Sequence, residues 1–210
     1  MICTVLYANE DFLSDEKNFD FFYSQVNSAR KEKISSLIEN EKKRLSLLAE
    51  LLLIYALKKE NVDYSECVFH TNEYDKPYIT NHKDFYYNIS HTDGLVILAY
   101  SNKEVGCDAE KIKSADFDKI IRIFSDKEIK KYNLIKLKKR KKAYFFNCWT
   151  KKESLAKLYG TSVFLNNDGG VTKTFTLKNE YVVNVSMHDD FTLKKQRITE
   201  KTLKQAITAR

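Results

Sequence analysis

The sequence predicts an α+β protein made of two similar halves, and three observations lead there. The order strand, helix, long helix, three strands is read once from the first residues and again from Glu104, with periods near 2 and 3.6 marking the elements. The length, 210 residues, suits one large domain or two small ones. The composition is 43 % hydrophobic with 13 Tyr and 13 Phe, enough to fill a core.

Taken in order, a strand is expected near Ile2–Tyr7 and helical material near Phe19–Ser28. A long amphipathic helix follows at about Asn40–Lys59. Its apolar run, Leu45 to Leu57, carries Glu50 and is too short to span a bilayer. Strands near Glu66–Thr71, Tyr86–Ile89 and Leu95–Ser101 complete the first half. The second half repeats the order: a strand from Glu104 to Ala109, a helix near Phe117–Phe124 and a long helix near Arg140–Tyr159. Strands near Val171–Leu177, Tyr181–Met187 and Phe191–Ile198 close it. The connection is Ser101-Asn102-Lys103, which divides the chain into residues 1–102 and 103–210. One proline and five glycines leave no flexible linker, so the halves are expected to pack rather than swing.

Charge is divided unevenly. Residues 1–102 hold 11 Lys+Arg against 16 Asp+Glu, and residues 103–210 hold 25 against 13, within a net charge of +7. A basic second half calls for an acidic macromolecular partner, nucleic acid or protein. The run Lys138-Lys139-Arg140-Lys141-Lys142 reads equally as a solvated helix start or as a steering surface for such a partner. Cys3, Cys67, Cys107 and Cys148 show no metal spacing, and they read as buried thiols of a reducing compartment. With no basic leader before the first strand, a cytoplasmic protein is expected.

Two stretches carry chemistry. In Val105-Gly-Cys-Asp-Ala-Glu110, Asp108 and Glu110 point to one face of a strand, with Cys107 and Ala109 turned into the core. In the stretch from Trp149 to Gly160, Trp149, Glu153 and Lys157 share one helix face, and Gly160 stands where the helix stops. Trp149 is read as a core anchor for that helix. Each stretch alone reads as an ordinary solvated surface. Packed together, they would converge three carboxylates and a lysine: hard oxygen ligands for Mg²⁺, and a cation for developing phosphate charge.

Gly106-x-Asp108-x-Glu110, followed by Trp149-Thr150-x-Lys152-Glu153-Ser154-x-x-Lys157-x-x-Gly160, resembles the signature of the 4′-phosphopantetheinyl transferases. Asn88-Ile89-Ser90-His91-Thr92 and Lys76-Pro77 upstream match the larger, pseudo-dimeric Sfp-type branch, whose active site lies between its halves. The resemblance implies transfer of the 4′-phosphopantetheine arm of coenzyme A to a serine of an apo acyl, peptidyl or aryl carrier protein, with release of 3′,5′-ADP. It implies Mg²⁺ on Asp108, Glu110 and Glu153, and Glu153 taking the serine proton directly or through a bound water. It places Lys157 at the diphosphate, Ser90 and His91 at the nucleotide and diphosphate, and Lys76 near the adenine and 3′-phosphate. Lys33 and Arg44 fall where basic, nucleotide-facing groups are expected. An acidic carrier suits the basic second half, and a monomer with no nucleic-acid or membrane partner is expected. Two alternatives stay open: another Mg²⁺-dependent diphosphate-cleaving enzyme, and a basic nucleic-acid-binding module. The second leaves the converging carboxylates unexplained.

Overall fold

The computed structural model describes residues 1–113, 123–165 and 169–208. Two antiparallel-rich sheets pack face to face, each covered outside by one long helix. The first sheet holds β1 (Ile2–Asn9), β4 (Tyr86–Thr92), β5 (Leu95–Ser101) and β9 (Thr192–Arg197), in the order β4-β5-β1-β9. The second holds β6 (Val105–Lys111), β7 (Val171–Leu177) and β8 (Tyr181–Met187), in the order β6-β8-β7. A separate two-stranded ribbon pairs β2 (Phe69–Thr71) with β3 (Pro77–Ile79).

Alternation along the strands builds the layers. In β5, Leu95, Ile97 and Ala99 face the second sheet, where they meet Cys107, Ala109, Val183 and Val185. Val96, Leu98 and Tyr100 face the other way, against α3 (Asn40–Lys59). Strand β5 is thus buried along its whole length, which is why it reads as an unbroken apolar run. The second sheet is covered by α5 (Lys138–Tyr159), whose contacts fall on β6 and β8. Gly160 ends α5 in the left-handed conformation, φ 62° and ψ 45°, and its N–H returns to Ala156 O.

The long helices fall where expected, with α5 starting two residues earlier, at Lys138. The helix expected near Phe117–Phe124 falls mainly on residues 114–122, outside the described residues. The helical material expected near Phe19–Ser28 forms α1 (Glu16–Ser24). Three further helices lacked a sequence expectation: α2 (Ser28–Ser35), α4 (Asp126–Leu134) and α6 (Glu200–Thr208). A full capping box of Ser125 and Glu128 opens α4, and Glu128 also pairs with Lys152 of α5 at 3.1 Å.

One strand lies elsewhere than the repeated order predicts. The third strand of the second half forms as β9 but joins the first sheet, parallel to β1 from Ile2–Thr192 to Tyr7–Arg197. Its sequence, Thr-Leu-Lys-Lys-Gln-Arg, has one apolar residue and cannot fill an inter-sheet layer. It serves instead as a charged edge. Helix α6 then returns to the first half, where Leu203 is fully buried and Ala206 O accepts from Lys58 Nζ at 2.7 Å. No helix among the described residues is long and apolar enough to cross a membrane.

Candidate active site

The site lies where the edges of the two sheets meet. Strands β4 and β6 belong to different sheets, yet β4 side chains satisfy β6 backbone groups in register. Asn88 Oδ1 accepts from Cys107 N at 2.9 Å, Ser90 Oγ from Ala109 N at 3.3 Å, and Thr92 Oγ1 from Lys111 N at 3.3 Å. All three side chains are buried, so alternating polar residues that suggest a solvent face in fact close a seam.

On that seam Ser90 donates to Asp108 Oδ1 at 2.7 Å. Lys157 Nζ donates to the same oxygen at 2.7 Å and to Ser90 Oγ at 3.1 Å. Asp108 is only 5 % exposed, and its other oxygen, Oδ2, is buried without a partner. Such an orphan acceptor costs free energy unless something outside the chain satisfies it. Next along β6, Glu110 is held at both oxygens, by Thr92 Oγ1 at 3.2 Å and Trp149 Nε1 at 3.4 Å. Trp149, expected only as core, is half-buried and spends its indole N–H on this carboxylate.

What lets α5 come this close is Gly106. A Cβ there would stand 2.1 Å from Ser154 O and 2.3 Å from Leu158 N. Only a glycine allows the helix backbone to rest on β6, and the packing brings Glu153 and Lys157 beside Asp108. Beneath them a polar seam pins the helix to β8. Ser154 Oγ pairs with Ser186 Oγ at 2.8 Å, and Asn184 Nδ2 donates to Asn147 O at 3.2 Å and to Thr150 Oγ1.

The electrostatics follow from the crowding. Burial, then Asp108, raises the pKa of Glu110 above the usual glutamate value. Burial and then Asp108 likewise raise Glu153, with Glu110 adding to the effect. Burial, the largest single influence, lowers Lys157, but its neighbours together, Asp108 foremost and Glu153 among them, hold the ammonium above the usual lysine value. His91 is lowered by desolvation first, then by Lys157 and Lys33, so its imidazole is neutral near pH 7. Burial pushes the Cys107 thiol up to about 12, which leaves it inert.

Asp108, Ser90 and Lys157 are therefore joined by hydrogen bonds, with Glu110, Glu153, His91 and Lys33 coupled around them. Two expected residues are engaged elsewhere. Arg44 pairs with the buried Glu10, its Nη2 lying 3.3 Å from Oε1. Lys76 pairs with Glu104 and donates to Leu158 O at 2.8 Å, beside Gly160 and along a cavity of about 580 Å³. Among the described residues no three acidic, His or Cys side chains stand close enough to form a ready metal site. The donor set still suits a hard cation: Glu110 and Glu153 are both held above the usual glutamate value, and Asp108 keeps one buried oxygen without a partner.

Carboxylates and an ammonium gathered at the seam of two α/β units have the chemistry to meet a cation and phosphate groups. Comparison with known families identifies the protein's family. The model of the 4′-phosphopantetheinyl transferase superfamily matches residues 104–208, and a 4′-phosphopantetheinyl transferase N-terminal model matches residues 12–103. The chain is 32 % identical to 4′-phosphopantetheinyl transferase Sfp of Bacillus subtilis (strain 168), over 76 % of this chain and 75 % of that one. It is 31 % identical to 4′-phosphopantetheinyl transferase gsp of Aneurinibacillus migulanus, over 72 % of this chain and 63 % of that one. It is 29 % identical to a 4′-phosphopantetheinyl transferase of Bacillus subtilis, over 82 % and 87 %. The chain belongs to the 4′-phosphopantetheinyl transferase superfamily and is a transferase of the Sfp type.

Proposed function

We propose that this chain transfers the 4′-phosphopantetheine arm of coenzyme A to the serine hydroxyl of an apo carrier protein, releasing 3′,5′-ADP. The observation that carries this reading is the Ser90–Asp108–Lys157 node, with its unpaired Asp108 Oδ2 beside Glu110 and Glu153. The serine oxygen forms a bond to the phosphorus that bears pantetheine, and the bond from that phosphorus to the 3′,5′-ADP oxygen breaks. The serine proton goes to Glu153, directly or through a water; burial and Asp108 raise its pKa in the metal-free site, and a cation held there would lower it. An ammonium has three donors. Lys157 spends two of them within the node, and the third is available to a diphosphate oxygen. Ser90 gives its only proton to Asp108, so its part is to orient that carboxylate, while His91 and Lys33 face the donor phosphates. Asp108, Glu110 and Glu153 would hold Mg²⁺, which when bound supplies positive charge to the diphosphate. The rest is positioning, as phosphoryl-type transfer requires.

The partner in this reading is an acidic carrier. It meets the basic corner formed by Lys138 to Lys142, where Leu134 and Leu137 are 71 % and 61 % exposed. From Lys138 to Glu153 along α5 is about 22 Å at 1.5 Å per residue. A small carrier domain can span that distance with its serine at Glu153. Residues 1–102 and 103–210 act as the two units, with β9 and α6 reaching back across the first. One chain supplies both edges of the seam, so the active form is a monomer, and it works in the cytoplasm without nucleic acid. Mass spectrometry of apo carriers incubated with coenzyme A and Mg²⁺ tests this. The expected result is a carrier heavier by one phosphopantetheine, with stoichiometric 3′,5′-ADP, and neither product in excess EDTA. Release of 3′,5′-ADP without a carrier would overturn the reading, and activity surviving EDTA would remove the metal from it.

A further inference from the structure

Glu50 is a buried carboxylate with no place in the chemistry above. It lies mid-way along α3 and is 2 % exposed, among the fully buried Leu47, Leu51 and Leu53. Removing a carboxylate from water costs several kcal/mol unless it is paired and hydrogen-bonded, and here it is both. Arg30 Nη2 of α2 stands 2.5 Å from Oε2, and the Tyr64 hydroxyl donates to Oε1. Asn27 donates to that tyrosine oxygen at 2.8 Å and caps α2 by accepting from Arg30 N at 2.8 Å. Tyr87 of β4 also senses this charge: its hydroxyl pKa is raised by burial first and by Glu50 second. One carboxylate therefore ties together α3, α2 and the turn at Tyr64–Glu66.

Stability does not account for this arrangement, because replacing a buried ion pair with apolar residues of similar size is usually neutral or stabilising. What the pair fixes is the place of α2. That helix has eight residues and buries only Ile34; its other side-chain ties, from Tyr23 to Lys31 O and Ser35 Oγ and from Lys31 to Ser24 O, run to α1, so the Arg30–Glu50 pair is its charged link to α3. Three residues beyond Arg30, and one turn along the same helix, stands Lys33, exposed and on the helix face that Arg30 shares; its charge is the last of the causes that lower the His91 pKa, after burial and Lys157.

We propose that Glu50 is a positioning residue for donor binding: through Arg30 it anchors α2 so that Lys33 is held as a cation over the site, toward the donor's phosphates. The proposal rests on coenzyme A being the donor. The test uses the double substitution Glu50→Leu with Arg30→Met, which removes the pair without leaving a lone buried charge. Circular dichroism should show this variant folded, with a Tm equal to or above that of the wild type. Its KM for coenzyme A should rise about tenfold, with kcat within twofold. Lys33→Ala alone should give a similar rise, and adding it to the double substitution should raise KM no further. A folded double variant with wild-type KM would overturn the proposal, and so would a triple variant in which the two effects multiply. Failure of the underlying reading looks different, because the wild type would then produce no holo carrier from coenzyme A, and both would fall together.

Discussion

Gly106→Ala is the sharpest test of how the site is assembled, because it adds one methyl group and changes no charge. The new carbon would meet Ser154 O at 2.1 Å and Leu158 N at 2.3 Å. Both are backbone atoms of α5 and cannot rotate aside. Non-bonded contacts need about 3.5 Å, so α5 must retreat from β6 by about 1 Å or more. The Lys157–Asp108 contact at 2.7 Å would then lengthen past hydrogen-bonding range, and Glu153, one turn earlier, would move with it. Overpacking of this kind costs about 1–3 kcal/mol, or about 3–10 °C in Tm for a chain of this length. A displacement of about 1 Å at a catalytic group costs about a hundredfold in rate. The assay is kcat for holo-carrier formation at saturating coenzyme A and carrier, on protein shown folded by circular dichroism. A folded variant within threefold of wild-type kcat would refute the argument that Gly106 sets the approach of α5.

Three more outcomes follow from the same geometry. Glu153→Gln should lose kcat far more than coenzyme A affinity, and the acid limb of the wild-type pH–rate profile should vanish in the variant. Because folding raises the pKa of Glu153 and Glu110, their contribution to stability is present at low pH and lost as pH rises through the folded pKa. The Gln variant should therefore melt higher than wild type at neutral pH and converge with it in acid; a lower neutral Tm would contradict the crowding. If Lys157 holds the donor diphosphate as proposed, Lys157→Ala removes a charged contact worth about 1.5–3 kcal/mol, so KM for coenzyme A should rise and kcat fall, together about ten- to hundred-fold in kcat/KM. Neutralising Lys138 to Lys142 should raise the KM for carrier at low salt and flatten its salt dependence, leaving coenzyme A kinetics unchanged. A variant with wild-type carrier KM would make the run a solvated helix start.

The parts legible in the sequence are those that local periodicity determines. Asp108 and Glu110 two apart on a strand, and Glu153 and Lys157 four apart on a helix, declare a shared face without knowledge of the partner element. The long helices and central strands were legible because covered faces give them unmistakable apolar patterns. What stayed illegible depends on contacts distant in the chain. Gly106 reads as a weak strand residue until a helix some fifty positions later lies on it. Asn88, Ser90 and Thr92 alternate like a solvated face, and only the neighbouring sheet edge shows that they are buried. Trp149 has the bulk of a core residue, yet its N–H is needed by a carboxylate on another element. The placement of β9 follows from its lack of apolar residues, a signal that the repeated order of elements obscures.

The side-chain seam explains why the charged groups gather here. A backbone ladder between β4 and β6 would satisfy the N–H groups of Cys107, Ala109 and Lys111 with carbonyls, leaving no hydroxyl beside Asp108. With Asn88, Ser90 and Thr92 as acceptors, the two edges stand one side chain apart. Two of the linking hydroxyls also carry a proton to give, and they give it to Asp108 and Glu110. The groups that join the halves thus also orient two of the carboxylates, while the third comes from α5 through the clearance at Gly106. Neither half holds the arrangement alone: residues 1–102 contain the hydroxyls and residues 103–210 the acids and Lys157. Assembly of the site is in this sense the packing of the two halves, and a change that loosens the seam should reach the chemistry before it reaches the fold.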